Sequence, residues 1–167
     1  PSTCRLVVTT WEPDDVDALL TIHSDPETMR SFVRPAETHA EVAALIDRYI
    51  TEQDRAGFTR WRVADHGGLL AVEPFAAFRG GRELGYTIRR DRWGQGLATE
   101  VATALVGWHR QFADHVPLWA YVSPRNHAST RVLDKVGFRR AGAVECGGEV
   151  CPPFRLPAGA EPGASLG

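Results

Sequence analysis

Two glycines in the segment DRWGQGLATE, residues 91–100, are placed where backbone amides could bind phosphate. Gly94 and Gly96 follow an apolar run and precede a helical pattern, so the amides from Gly96 to Thr99 stand at a predicted helix start. Such amides have no partner within the helix and lie at the positive end of its dipole. Because glycine has no Cβ to block a close approach, the pattern favours a diphosphate site. The alternative is a plain turn between a strand and a helix.

Two well-known glycine-rich phosphate loops do not fit these residues. A Walker loop requires Lys-Ser or Lys-Thr after its last glycine, whereas Leu97 and Ala98 follow here. A dinucleotide fingerprint requires a third glycine or alanine three residues after the second, and Thr99 occupies that position. What remains is a phosphate-binding loop that requires no lysine.

A second motif stands about thirty residues after the first, in the segment SPRNHASTRVLDKVGF. The chain thus has a strand, RWGQGLATE and a helix, and then a strand, NHAS and a helix that ends in KVGF. This pairing resembles the GNAT acetyltransferases, especially the branch that acetylates the N-termini of ribosomal proteins. The resemblance runs over nearly the whole chain, and RLVVTTWEPDDVDALLTIHSDPETMR looks like the opening of that branch. The family often carries Gln or Arg at the position of Trp93, so backbone amides are expected to hold the phosphates here.

The resemblance implies an α/β fold with a central mixed, twisted sheet of about six to seven strands and about four flanking α-helices. It also implies acetyl-CoA as cosubstrate and no metal. The backbone of Ile88 would bond the pantetheine arm, and Asn126 would bond the pantetheine amide or the thioester region. The arm would enter a V-shaped cleft between strands 83–90 and 117–122. The loop residues that the resemblance assigns to the cofactor are Trp93, Gly94, Gln95, Gly96, Leu97, Ala98 and Thr99.

Acetyl transfer from a thioester to an amine needs a neutral amine, a donor for the developing oxyanion and a proton for the departing thiolate. A thiol has a pKa of about 8.5, so a hydroxyl near the sulfur suffices as the acid. Ser129 matches the position proposed as general acid in the resembled branch; the alternative is a serine that bonds the first helical turn. Tyr121 is the second candidate acid, unless it only packs. Glu83, three residues before Tyr86, is the candidate base, unless it is a surface carboxylate at a strand end.

The elements that position these residues follow from hydrophobic periodicity. Strand 83–90, a helix after the glycine pair and strand 117–122 form a βαβ unit, so the two strands should be parallel. Thr38 and Glu41 form a capping box for a helix that ends near Gly57. The other predicted elements are strand 5–10, helix 12–24, strands 58–65 and 69–78, the second interrupted at Pro74, a helix from Asn126 to Gly137, and hairpin strands 138–145 and 149–156.

Composition limits the class of protein. The 167 residues suit one domain, which we predict to span residues 1–156, with a disordered tail at 157–167. A net charge of −2 and a pI near 6.3 provide no basic field, which disfavours nucleic acid as a partner. The sequence has neither an apolar run of membrane-spanning length nor the core of a signal peptide, so we expect a cytoplasmic protein without membrane contact. The three cysteines have no metal spacing, and a Cys146–Cys151 bridge is left open.

These observations predict an N-acetyltransferase in which an amine attacks acetyl-CoA directly in a ternary complex. The acceptor is left open between a protein N-terminus and a small-molecule amine, and a homodimer is left open as well. One alternative is a non-catalytic acyl-CoA-binding or sensor module. Another is an interaction domain that uses the same fold only as a scaffold.

Overall fold

The computed structural model describes residues 3–30, 37–57, 60–65, 68–72, 76–78, 80–146, 149–151 and 153–159. The α-helices in these ranges are α1 Val16–His23, α2 Pro26–Met29, α3 His39–Ala56, α4 Leu97–Ala113 and α5 His127–Lys135. Short 3-10 helices occupy Pro13–Asp15 and Arg90–Arg92. The strands are β1 Val7–Thr9, β2 Arg62–Asp65, β3 Gly68–Val72, β4 Ala76–Phe78, β5 Gly81–Glu83, β6 Leu118–Tyr121, β7 Arg139–Arg140, β8 Val144–Cys146, β9 Glu149–Cys151 and β10 Pro153–Arg155.

Three hydrogen-bonded ladders connect the strands in the orders β1-β2-β3, β4-β5-β6-β10-β7 and β8-β9. In the five-stranded ladder, β5 and β6 are parallel and the other pairs are antiparallel. Helix α4 connects the two parallel strands, which confirms the predicted βαβ unit. The mixed α/β architecture is the one that the sequence predicted.

Several predicted elements are shorter or divided in the structure. Segment 69–78 forms β3 and β4, which belong to different ladders, and Pro74 lies outside the described residues. The closing hairpin forms four short strands instead of two, because β10 inserts between β6 and β7. The register of β8 and β9 pairs Val144 with Cys151, so Cys146 and Cys151 are not opposite each other. Most of the predicted disordered tail, residues 160–167, also lies outside the described ranges.

Local signals placed the helix ends correctly. The Thr38 hydroxyl accepts a hydrogen bond from the Glu41 amide at 3.3 Å, and the Glu41 carboxylate accepts one from the Thr38 amide at 2.7 Å. Gly57 follows α3 with a φ of 71°, in the left-handed conformation that ends many helices. Beyond α5, the Phe138 amide donates to the Leu133 carbonyl at 3.0 Å. This bond closes the end of α5 after Gly137, as predicted.

The apolar core has two parts. The larger cluster joins α4 and α5 to the five-stranded ladder and to β2, and it includes the fully buried Val101, Leu105 and Phe138. The smaller cluster joins α1 to α3 through residues such as Leu19 and Ile46. Each side chain of this size stabilises the fold by roughly 1.5–3 kcal/mol when fully buried. The larger cluster therefore fixes α4 and α5 against the strands whose ends form the site described below.

Buried His109 predicts a loss of stability in mild acid. Burial lowers the pKa of His109 from its ordinary value of 6.5, and its Nε2 donates to the Val116 carbonyl at 2.9 Å. Between the folded pKa and about 6.5 the unfolded chain binds more protons, so the free energy of unfolding falls as the pH falls. We expect a decline of at most about 1.4 kcal/mol per pH unit below pH 6.5. Urea unfolding of the wild-type protein and of His109→Gln between pH 7.5 and 5.5 measures this slope; equal slopes would contradict the prediction.

Candidate functional site

Strands β5 and β6 lie close together at one end and separate at the other. The Arg82 amide donates to the Pro117 carbonyl at 2.9 Å, and a Cβ on Gly81 would lie 2.3 Å from the same carbonyl oxygen. Only glycine therefore fits where the two strands meet. The last bond between them runs from the Leu84 amide to the Trp119 carbonyl at 2.7 Å. Residues 84–89 are outside any ladder, although the sequence predicted a strand throughout 83–90.

A cavity of about 490 Å³ lies where the two segments have separated. Its walls include Leu84–Ile88 on one side and Ala120–Ser123 on the other, and the first turn of α4 and much of α5 complete it. This volume is in the range of small-molecule and cofactor sites. The predicted site residues that line it are Glu83, Ile88, Trp93, Gly94, Gly96, Leu97, Ala98, Thr99, Tyr121, Asn126 and Ser129. Gln95 does not line it; its side-chain nitrogen donates to the Asp91 carbonyl at 3.3 Å.

The loop before α4 has the conformation that its glycines permit. Gly94 and Gly96 have φ values of 76° and 77°, which L-residues with a side chain rarely adopt. Gly96 is the N-cap of α4, and no side chain caps that helix. The first helical bond of α4 runs from the Glu100 amide to the Gly96 carbonyl at 3.1 Å, so the amides of Leu97–Thr99 precede the helical bonding pattern. The residues that carry these amides line the cavity at the positive end of the α4 dipole.

Trp93 uses its indole nitrogen within the protein. The Nε1 group donates to the Ile88 carbonyl at 2.7 Å, and the Arg30 guanidinium lies 5.1 Å from the ring centroid. Because this N–H is engaged, Trp93 connects the glycine loop to the end of the extended segment 84–89. A carbonyl can accept two hydrogen bonds, so the predicted backbone contact between Ile88 and a pantetheine arm stays a prediction.

Asn126 and Ser129 are fixed relative to each other by the start of α5. Asn126 is the N-cap, and its Oδ1 accepts from the Ser129 amide at 3.1 Å. Its side-chain oxygen is therefore a helix cap, and the predicted contact of Asn126 with a cofactor stays a prediction. Thr130 donates its hydroxyl to the Asn126 carbonyl at 3.3 Å. Within the described part of the chain no such bond is found for the Ser129 hydroxyl, which is half-buried in the cavity wall.

Tyr86 bridges the two walls of the cavity, and the sequence did not identify it as a site residue. Its hydroxyl donates to the Ser129 carbonyl at 3.5 Å. Burial raises the pKa of Tyr86 to about 12, so the phenol stays protonated at neutral pH. The available signal was the period of two that places Leu84, Tyr86 and Ile88 on one face of an extended segment.

The two acid candidates and the base candidate line the same cavity. Glu83 ends β5, is half-buried and stands opposite Trp119 of β6. Tyr121 ends β6 and pairs with Pro153 of β10. The structure therefore brings Glu83, Tyr121 and Ser129 together from three different elements.

Cationic side chains outnumber carboxylates around the cavity. The cations are Arg30, Arg92, Arg131 and Lys135, and Glu83 is the carboxylate among the lining residues that the structure describes. Arg131 and Lys135 stand four residues apart on α5, a spacing visible in the sequence but not interpreted. Arg30 is paired with Glu27 at 3.6 Å and Arg92 with Asp65 at 3.2 Å, so the positive charge that suits an anionic ligand comes mainly from Arg131 and Lys135. The described residues contain no group of three or more His, Cys, Asp or Glu suited to a metal ion.

One further part of the wall comes from α2. Thr28 is buried there, lines the cavity and accepts a hydrogen bond from the Arg90 amide at 3.1 Å. The Thr28 hydroxyl donates to Asp25 at 2.5 Å and is the main cause that lowers the pKa of that carboxyl. Thr28 and Arg90 are 62 residues apart, so no local pattern predicts their contact.

Comparison with known proteins agrees with this geometry. The profile of the acetyltransferase (GNAT) domain matches residues 5–139. The chain is 24% identical to the uncharacterized N-acetyltransferase YoaA of Bacillus subtilis over 148 residues, which cover 85% of this chain and 84% of YoaA. No helix in the described ranges is long and apolar enough to cross a membrane.

Two solved structures share the fold. A GNAT-family acetyltransferase from Bacillus anthracis has a TM-score of 0.76 and 22% identity, over 90% of this chain and 92% of that one. The ribosomal L7/L12 alpha-N-protein acetyltransferase RimL, solved in complex with coenzyme A, has a TM-score of 0.77 and 17% identity, over 93% and 95%. Since the GNAT profile matches most of the chain, this protein belongs to the GNAT acetyltransferase family.

Proposed function

We propose that the protein transfers the acetyl group of acetyl-CoA to a primary amine, which attacks the thioester directly in a ternary complex. The observation that carries the proposal is that the uncapped first turn of α4, Ser129 and Glu83 all contribute residues to the wall of one cavity. Its cationic rim and its position between the diverging β5 and β6 segments support binding of a long anionic molecule. Coenzyme A is of that kind, and RimL, which shares the fold, was solved with it.

Different parts of the cavity would bind different parts of the cosubstrate. The amides of Gly96–Thr99 would donate to the pyrophosphate, with Gly94 and Gly96 allowing the close approach. The extended segment up to Ile88 would bind the pantetheine arm, beside Asn126. Bound in this way, acetyl-CoA supplies the reactive thioester carbonyl.

The chain's own side chains would move the protons. Glu83 would accept a proton from the ammonium form of the acceptor, directly or through a water molecule, and leave a neutral amine. The amine nitrogen then bonds to the carbonyl carbon, and the carbon–sulfur bond breaks. Ser129 would donate a proton to the departing sulfur and would regain, through water, the proton that the former amine nitrogen loses on becoming an amide.

Release of free thiol from acetyl-CoA in the presence of an amine panel tests this function. The panel includes peptides with free N-termini, because RimL is an alpha-N-protein acetyltransferase, and small primary amines. We expect thiol release that depends on one amine class and matches the acetylated product mole for mole. Acetyl-CoA without amine is the control for hydrolysis.

The outcomes separate the alternatives. Tight binding of CoA with no turnover on any amine would favour a non-catalytic acyl-CoA-binding or sensor module. Absence of CoA binding by calorimetry would instead favour an interaction domain that uses the fold as a scaffold.

A further inference from the structure

An arginine from the N-terminal segment contacts both sides of the glycine loop. The Arg5 Nη1 group donates to the Gln95 carbonyl at 3.1 Å. Its Nε and Nη2 groups contact Glu100 Oε2 at 2.7 and 2.5 Å. Glu100 also accepts from the Arg5 amide at 3.2 Å and from the Thr3 hydroxyl. The sequence analysis assigned no function to Arg5, which is 95 residues from Glu100.

These contacts lie on both sides of Gly96, the N-cap of α4. Gln95 immediately precedes Gly96, and Glu100 follows it by one helical turn, so the guanidinium spans the N-cap of α4. Arg5 Nη2 lies 3.9 Å from the place where a Cβ of Gly96 would be. Two glycines give this loop many accessible conformations in the absence of contacts that fix it. The contacts of Arg5 fix the peptide before Gly96 relative to the first turn of α4.

The charge of Arg5 is compensated where it lies. Glu100 has a lowered pKa because of hydrogen bonds from the Thr3 hydroxyl and from Arg5, so it is ionised at neutral pH. The ion pair therefore adds little net charge beside the loop. An effect of Arg5 on a bound anion should come from the orientation of the amides, not from its own field.

We propose that Arg5 is a positioning residue for the pyrophosphate site: through Gln95 and Glu100 it holds the Gly96–Thr99 amides in the orientation that binds phosphate. This inference rests on the proposed function, because it assumes that these amides bind the pyrophosphate of CoA. Arg5 does not line the cavity itself. Its role is to increase the fraction of molecules whose loop is ready to bind.

The expected effect follows from that fraction. An apparent dissociation constant rises in inverse proportion to the population of the competent conformation. If loss of the Arg5 contacts leaves the loop in its phosphate-binding conformation in about a tenth of the molecules, Arg5→Ala raises the Kd for CoA about tenfold. Arg5→Lys keeps the charge but lacks the planar guanidinium that reaches both Gln95 and Glu100. We therefore expect its Kd for CoA to rise nearly as much as that of Arg5→Ala.

A comparison of CoA with pantetheine isolates this role. Pantetheine lacks the pyrophosphate, so its affinity should not depend on the loop. Calorimetry gives the Kd for CoA, and ligand-observed NMR gives that for pantetheine. We expect Arg5→Ala to reduce the preference for CoA about tenfold and to leave the Kd for pantetheine within about twofold.

Two further variants complete the test. Arg62→Ala removes an ion pair of similar geometry, with Nε at 2.7 Å from Asp15 Oδ1, outside the cavity wall, and should leave the preference unchanged. The double variant Arg5→Ala/Glu100→Gln removes the carboxylate that the single variant leaves unpaired. If orientation is the cause, the double variant still prefers CoA less than the wild type does. Glu100→Ala alone removes the contact of Arg5 with the first turn of α4 and serves if Arg5→Ala does not fold.

The possible results distinguish the positioning role of Arg5 from the pyrophosphate site itself. The positioning role would be overturned if Arg5→Ala raised the Kd values for CoA and pantetheine by the same factor. It would also be overturned if the double variant recovered the wild-type preference for CoA over pantetheine. If the wild-type protein and the Arg5 variants prefer CoA over pantetheine equally strongly, the inference is overturned and the proposed function is left intact. A wild-type protein that binds pantetheine as tightly as CoA would overturn the pyrophosphate site itself.

Discussion

Gly96→Glu raises the Kd for CoA by at least about 100-fold in calorimetry. Gly96 has a φ of 77°, where a residue with a Cβ is strained by roughly 1–2 kcal/mol. The new side chain also places a carboxylate at the uncapped amides, where the pyrophosphate should bind, and repels it. A combined loss of about 3 kcal/mol corresponds to a factor of more than 100 in Kd.

A second left-handed glycine in the chain provides the control. Gly57 has a φ of 71°, and a Cβ there would meet no atom within 4 Å. It caps α3 and does not line the cavity, so Gly57→Glu imposes similar backbone strain and the same charge elsewhere. We expect this variant to bind CoA like the wild type.

Gly96→Gln separates strain from charge. It has nearly the shape of Gly96→Glu without the negative charge, so its Kd should lie between those of the wild type and Gly96→Glu. A Glu at position 96 also lies close enough to Arg5 to compete with Glu100, and Gly96→Gln lacks that competition. Unchanged CoA affinity in Gly96→Glu would rule out the phosphate role of the glycine pair.

The parts of this fold that the sequence predicted depend on neighbouring residues. The capping box at Thr38, the left-handed Gly57 and the helix end at Gly137 follow from backbone chemistry within a few residues. The parallel pairing of β5 and β6 follows from the crossover connection through α4. Ser129 and Glu83 line one cavity as expected, although the family resemblance, not periodicity, placed them together.

The parts that the sequence did not predict depend on contacts between distant residues. The divergence of β5 from β6 after Leu84 was implied by the family resemblance alone and has no local signal, because residues 84–89 still read as a strand. The contacts of Thr28 with Arg90 and of Arg5 with Glu100 join segments 62 and 95 residues apart. In the sequence, Trp93 was interpreted only as a residue that replaces a Gln or Arg donor to phosphate. In the structure its indole N–H donates a hydrogen bond to the Ile88 carbonyl. Packing between distant segments determines these features, except for the Trp93 bond, which spans only five residues.

Ser129→Ala lowers kcat by about 100-fold and changes the Kd for CoA by less than about twofold. Loss of a positioned general acid typically costs 100-fold or more in rate. The substitution should not disturb α5, because the bond that caps the helix uses the Ser129 amide and the Asn126 side chain, both of which remain. Steady-state kinetics with the amine found in the panel gives kcat, and calorimetry gives the Kd.

The neighbouring hydroxyl is the matched control for this variant. Thr130 donates its hydroxyl to the Asn126 carbonyl and does not line the cavity, so Thr130→Val removes a hydroxyl from the same helical turn without touching the site. We expect its kcat to stay within about twofold of the wild type. Ser129→Cys restores a proton donor with a pKa near 8.5 and should recover part of the lost rate. A wild-type kcat in Ser129→Ala, together with a large loss in Tyr121→Phe, would transfer the role of acid from Ser129 to Tyr121, because both side chains line the same cavity.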